Sequence, residues 1–335
     1  MKITRRRFLT TASAVPLFTG SAATLLALLP QQARAALRPV RLGYQYHLWG
    51  APAVVALKMG FFKAEGLSVE DKRFASGVDT RSAMVGGHVD IGTVGVTPFV
   101  VGASRGEMGA LAVVCYAGKT AMVMARAGRG IKSVADLKGR KIASQVGSTL
   151  DDVFKKQIAP GAKLGPTDYE IINVKFQDQT SAIAAGSVDA MLNLEPFCSI
   201  AEEQKIAEQI TDYYKYDLIP NMLAVNRPFA EKYPETCIAF LRGWLKAVDV
   251  FVKKPDEAAN VMVGVYKDAG YKVSFATVRR VVERLIVTPD FIPQLPAYIR
   301  EQAAALKKAN RIQSEPDPNA ILLKDFLPKA RAAKS

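Results

Sequence analysis

The sequence predicts an α/β protein of two lobes, and three observations predict it. A ten-residue stretch occurs in two related copies, SAMVGGHVDI at 82–91 and SAIAAGSVDA at 181–190. Strand-like and helix-like periods alternate around each copy, which implies βαβ units. Two apolar stretches, 110–128 and 219–225, carry the chain from one series of elements to the other and back. The repeat is more than composition: Asp79 pairs with Asp178, Ser82 with Ser181, Ala83 with Ala182, Gly87 with Gly186, Val89 with Val188 and Asp90 with Asp189, all 99 positions apart. Solenoid units are roughly 20 to 50 residues long, so this period reads as two copies of a larger unit.

In the first series, VRLGYQ (40–45) reads as a strand, 52–59 as a helix with proline in its first turn, and LSVEDKRF (67–74) as an alternating strand. The repeat helix runs over 79–86, Gly87 ends it in the left-handed conformation, and VDIGTVG (89–95) is the third strand. The second series keeps this order: KIASQ (141–145), a helix over 149–158, YEIINVKF (169–176), the repeat helix, and VDAMLNL (188–194). Mainly parallel sheets follow. Crossings between lobes are expected at Gly118-Lys119-Thr120 and at Ile219-Pro220-Asn221. Residues 36–118 with 222–335 then form one lobe, 119–221 the other, and the two crossings make a hinge. From Pro228 the chain reads as helical. Within 239–252, Phe240, Leu241, Trp244, Leu245, Val248, Phe251 and Val252 keep helical spacing and predict one buried face.

Residues 1–35 are of another kind. Lys2, Arg5, Arg6 and Arg7 precede an apolar run from Ala12 to Leu29, and Ala33-Arg34-Ala35 offers a cleavage site, the pattern of an export signal rather than a membrane anchor. TRRRFLT (4–10) resembles the twin-arginine export motif. No cysteine precedes Cys115, so the expectation is a soluble periplasmic protein that is not a lipoprotein. Formal charge is +14 for the whole chain and +9 after residue 35, with 40 basic and 31 acidic residues. That surplus suits an anionic solute or simply a soluble surface. Export and the scatter of basic residues argue against nucleic acid. Cys115, Cys198 and Cys237 lack disulfide or zinc spacing and read as buried thiols.

Motifs for catalysis are missing. The GKT at 118–120 has Val113 where a phosphate-binding loop needs its first glycine. No G-x-S-x-G occurs, and His47 and His88, the two histidines, have no partner at metal spacing, so no metal or cofactor is expected. Arg279, Arg280 and Arg284 fit the solvated face of a helix. In open α/β sheets, ligands bind beyond the carboxyl ends of the strands. Those positions carry Tyr46, His47 and Trp49; Ser76 and Gly77; Gly95, Val96 and Thr97; Gly147, Ser148 and Thr149; Asn193 and Glu195. Small and hydroxyl residues at helix starts leave N–H groups free for an anion. His47 either meets ligand or makes a structural hydrogen bond, and Ser148 either caps its helix, binds, or does both. Asp151, Asp152 and Glu195 would repel a simple anion unless they point away or it also carries a cation.

RLGYQ (41–45), GFFKAEGL (60–67), IKSVADLKGRKIASQVGS (131–148), SVDA (187–190) and NLEPF (193–197) together resemble the periplasmic nitrate, sulfonate and taurine binding proteins of ABC importers, and also thiamine-precursor binding proteins. The resemblance implies the two-lobe periplasmic binding protein fold, type II, closing on a small organic anion or zwitterion and delivering it to a membrane permease. The expectation is a monomer without catalysis, and TRRRFLT (4–10) makes the twin-arginine machinery its exporter. A neutral heterocycle such as a thiamine-precursor pyrimidine is the alternative solute. Leu194-Glu195-Pro196 departs from the Trp-Asp-Pro often found in sulfonate and taurine binders, so an aromatic wall is missing there; Glu195 either meets an amine or caps the next helix. An enzyme on this fold, desulfinase-like with Cys198 as nucleophile, is the rival of another class. A transcription regulator's effector lobe would need a DNA-binding helix-turn-helix where the export signal stands.

Overall fold

A computed structural model describes residues 37–45 and 47–332. The export segment 1–35, Ala36 and Tyr46 lie outside the described residues. Among the described residues, ten strands form two five-stranded sheets. The first has the order β2 (Val69–Phe74), β1 (Val40–Gln45), β3 (Ile91–Gly95), β10 (Pro220–Asn226), β4 (Met108–Tyr116). The second has the order β7 (Glu170–Asn173), β6 (Lys141–Ser144), β8 (Ala190–Leu194), β5 (Ala121–Arg126), β9 (Ala207–Asp212).

The duplicated residues build the same joint in both sheets. Gly87 and Gly186 are left-handed, with φ of 72° and 75°, which glycine adopts without a steric penalty. The chain then turns back identically, His88 N–H donating to the Ala83 carbonyl (2.8 Å) and Ser187 N–H to that of Ala182 (3.2 Å). Two residues on, the Asp90 carboxylate accepts the Arg41 N–H (2.8 Å) and the Asp189 carboxylate that of Lys141 (3.0 Å). Each aspartate thus pins the start of its sheet's central parallel strand beside the strand that follows the repeat helix.

The sheets are mixed, contrary to the expectation of mainly parallel ones. β1 and β6 pair in parallel with both neighbours, but β10 is antiparallel to β3 and β4, and β5 to β8 and β9. The reason is the hinge. β5 and β10 arrive from the other lobe at the end where the βαβ strands finish, so they run the opposite way. β9, an edge strand of sequence AEQITD, carries too little alternation to stand out in the sequence. The helix expected over 149–158 is α-helical at Thr149–Val153, widens to a π-turn at Phe154–Ile158 and ends at Ala159–Gly161. Pro160 has no N–H for the Lys156 carbonyl, and the widening falls just before it.

The C-terminal helices pack on the first lobe, chiefly through Pro234–Lys253 against Ala51–Lys58 and Phe61–Ala64. Phe240, Leu241 and Trp244 are fully buried, and Glu65 clamps the outer side through Arg242 (2.6 Å) and Lys246 (2.7 Å). Val252 corrects the predicted face: it is 61% exposed, whereas Val250 and Phe251 carry the buried side of the last turn. At the second crossing Asp217 accepts from Gln157 of the second lobe and from Tyr298 of Leu295–Lys308. Among the described residues no helix is long and apolar enough to cross a membrane.

Candidate functional site

The strands of both sheets deliver their following loops to one cavity between the lobes. The first lobe supplies Gln45, His47, Trp49, Gly77, Val78, Gly95 and Pro98, and the second Ser148, Thr149 and Phe176. The space left for the centres of water-sized molecules is about 20 Å³, roughly one water. Four helices begin at its wall: Gly77–Val85, Val96–Ala103, the helical run from Thr149, and Phe176–Ala185. Their positive ends converge there. Among the described lining residues none carries a formal charge.

Several hydrogen bonds cross between lobes. Thr149 Oγ1 accepts the Thr97 N–H (3.2 Å), and the Thr97 hydroxyl reaches Asp152 (3.4 Å). Arg311, from the C-terminal region on the first lobe, donates to Asp152 (3.1 Å) and to the Gly147 carbonyl (3.4 Å). Leu48 N–H donates to the Glu195 carbonyl (3.3 Å). Gly95 has to be glycine here, since a Cβ would stand 2.7 Å from Thr149 Oγ1. The lobes are therefore closed on each other.

Trp49 connects this cavity to the hinge. Its Nε1 donates to Thr120 Oγ1 at the first crossing (3.0 Å), and its carbonyl accepts from Asn221 Nδ2 at the second (3.1 Å). His47 lies between Trp49 and Phe176 with its ring edge-to-face to both, at 5.5 and 5.9 Å. It is 3% exposed, its Nδ1 has no hydrogen-bond partner, and burial pushes its pKa down to about 3. The expected choice between ligand and a structural bond therefore stands with Nδ1 unpartnered.

The acids around the cleft are paired within the protein. Asp151 accepts from Lys155 (2.8 Å), Ser144 (3.1 Å) and the Gly147 N–H (3.1 Å). Asp152 holds Lys156 (2.7 Å) and Arg311. Glu195, fully buried, accepts from Ser199 N–H (3.0 Å) and hydroxyl (2.9 Å) and faces Arg284 at 3.3 Å. Burial raises its carboxyl above the usual range, against the pull of Ser199 and Arg284. Arg284 thus departs from the solvated role expected of it, because the end of Phe275–Arg284 packs over the Glu195 loop.

Of the residues expected at the strand ends, His47, Trp49, Gly77, Gly95, Ser148 and Thr149 meet at this cavity. Ser148 also caps its helix, accepting the Asp151 N–H (3.2 Å). Ser76, Val96, Thr97, Gly147, Asn193 and Glu195 are not among the lining residues. Ser76 caps Gly77–Val85, and Asn193 spends its amide on the Phe176 carbonyl (3.0 Å) and its oxygen on the Leu194 N–H (2.8 Å). Gln45, Val78, Pro98 and Phe176 are additions. Gln45 closes β1, locked by Thr80 and Thr93. Phe176 sits within a stretch that reads as strand, whereas it opens a helix. A wider groove of about 400 Å³, with Lys58, Asp71, Arg73 and Asp268, lies on the outside of the first lobe and touches no strand end of the second.

Cys198 is fully buried, and burial followed by the nearby Glu195 and Glu202 pushes its thiol well above the usual range. A thiolate nucleophile is disfavoured there. Among the described residues no group of His, Cys, Asp or Glu could hold a metal ion.

Residues 50–258 match the family model described as NMT1/THI5 like. The chain belongs to the NMT1/THI5-like family. It is 29% identical over 243 residues to a Bacillus subtilis (strain 168) protein assigned to aliphatic sulfonate binding, covering 71% of this chain and 72% of that one. It is 28% identical over 226 residues to the taurine-binding periplasmic protein of Escherichia coli (strain K12), covering 65% and 68%. The alkanesulfonate-binding protein SsuA from Xanthomonas axonopodis pv. citri bound to MOPS superposes with a TM-score of 0.76 at 19% identity, covering 85% of this chain and 99% of SsuA. This family member therefore has the periplasmic binding protein fold.

Proposed function

We propose that the chain is the solute-binding protein of an ABC importer, capturing a small organic anion of the sulfonate type between its lobes and presenting it to a membrane permease. The observation that carries this reading is the cavity itself: it is walled by both lobes, faced by four helix N-termini, and free of formal charge among its described lining residues. Helix N-termini stabilise an anion without a side-chain cation. The protein acts without catalysis in this reading, since no described lining residue is an activated nucleophile and Cys198 is kept as a thiol. Its lobes are taken as 36–118 with 222–335 and as 119–221. It works in the periplasm as a monomer, reached through the twin-arginine machinery and without a lipid anchor.

The paired acids refine the solute. Asp151, Asp152 and Glu195 are each satisfied by cations or hydrogen-bond donors of the protein, so an ammonium group finds no free carboxylate. A simple alkanesulfonate is favoured over the zwitterion taurine. The aromatic edges of His47, Trp49 and Phe176 also suit a flat heterocycle, which keeps the pyrimidine reading as second. Calorimetric titration with ethanesulfonate, taurine, nitrate and a hydroxymethylpyrimidine decides: ethanesulfonate binding tightest supports the proposal, and the pyrimidine alone binding replaces it. Mass spectrometry of solute retained by gently purified protein is the independent check. Product formation that disappears in Cys198→Ala would overturn the binding role in favour of an enzyme.

A further inference from the structure

We propose that His47 is the charge-compensating group of the cavity: its imidazole is neutral in the free protein and takes up a proton when an organic anion enters, so that solute and proton are bound together. This rests on the anion-binding reading above and adds a proton to it.

The first observation is that no other described lining residue can answer a new charge. From the first lobe, the residues around His47 are Gln45, Trp49, Gly77, Val78, Gly95 and Pro98, and from the second Ser148, Thr149 and Phe176. None of them titrates near neutral pH. The carboxyl groups one layer back are committed within the protein: Asp151 to Lys155, Asp152 to Lys156 and Arg311, and Glu195 to Ser199 and Arg284. An anion that arrives in this space meets one titratable side chain among the described residues.

The second observation is the state of that side chain. His47 is 3% exposed and its Nδ1 has no partner in the protein. A buried imidazole beside four helix N-termini is held neutral, because burial and the positive helix ends both oppose a second proton. Burial alone brings its pKa to about 3. An anion reverses the second influence directly and offers an acceptor to the imidazolium N–H. By linkage, whatever raises the proton affinity of His47 on solute binding raises solute affinity on protonation by the same factor. The sign is definite: the free protein stays unprotonated, the complex gains a proton, and binding tightens as pH falls.

Ethanesulfonate is the probe, having no group of its own that titrates in this range. Its binding to the intact protein is measured by calorimetry between about pH 8 and about pH 5, in buffers of different ionisation enthalpy. One proton per solute is expected at the acid end, with the dissociation constant falling by up to about tenfold per pH unit. His47→Gln, neutral and of similar reach, should fold with an unchanged melting temperature at the upper pH, still bind, and lose both the proton uptake and the pH dependence. Ethanesulfonate bound with no proton uptake and a flat dissociation constant overturns the role of His47 while leaving the anion reading intact. Proton uptake that persists in His47→Gln overturns it as well. If no sulfonate binds and the pyrimidine does, the solute assignment itself falls, and this inference with it.

Discussion

The two lobes share a frame and differ where they face each other. Their duplicated residues, Gly87 and Gly186, Ala83 and Ala182, Asp90 and Asp189, form the same helix exit and the same backbone clamp. The loops after their first strands do not match: Gln45 is followed by His47, Leu48 and Trp49, whereas Gln145 is followed by Gly147, Ser148 and Thr149. One lobe brings rings and the other hydroxyls. Duplication preserves what the sheet needs to close, while the strand ends are left free to hold different chemistry.

The clamp residues test whether the shared frame carries equal weight in the two lobes. Asp90 is buried and accepts the Arg41 N–H together with its guanidinium, whereas the Asp189 side chain is 31% exposed with Arg140 at 3.9 Å. Asp90→Ala should therefore cost about 3 kcal/mol in urea unfolding and Asp189→Ala about 1 kcal/mol. Equal losses would break the comparison.

His47 against Gly147, at the same place in the two loops, comes next. The histidine's folded pKa of about 3 lies below its ordinary value of 6.5, so the unfolded chain binds the proton first as pH falls. The stability of the free protein is full above about pH 6.5 and is lost at up to about 1.4 kcal/mol per pH unit as the pH drops toward 3. The difference between wild type and His47→Gln in unfolding experiments at pH 7 and pH 5 isolates this contribution. A difference that does not grow on acidification refutes it.

The interlobe contacts give a smaller effect. Arg311→Ala removes the bonds to Asp152 and the Gly147 carbonyl, and Gly95→Ala drives a methyl against Thr149. Each should weaken solute binding about tenfold, equivalent to about 1.4 kcal/mol, by disfavouring the closed arrangement. Little change in unfolding midpoint should accompany Arg311→Ala, which distinguishes closure from folding. The smallest effect is expected at Trp49, whose Nε1 bond to Thr120 is worth about 1 kcal/mol. Trp244 is fully buried away from the cleft, so Trp244→Phe should retain the fluorescence change on solute binding and Trp49→Phe should lose it.

Most of the elements and the duplicated joint were legible in the sequence, because both rest on short-range physics. A glycine that must be left-handed and an apolar face at helical spacing around Trp244 are both legible within a dozen residues. The sequence also marked six of the ten described lining residues of the cleft, since His47, Trp49, Gly77, Gly95, Ser148 and Thr149 sit where parallel strands end. Tertiary structure alone decided which charges cancel and which residues complete the wall. Arg311 reaches Asp152 across 159 positions, Arg284 reaches Glu195 across 89, and Asn221 reaches Trp49 across 172. No local period records such pairs. The reversed direction of β5 and β10 likewise follows from how the chain crosses the hinge twice.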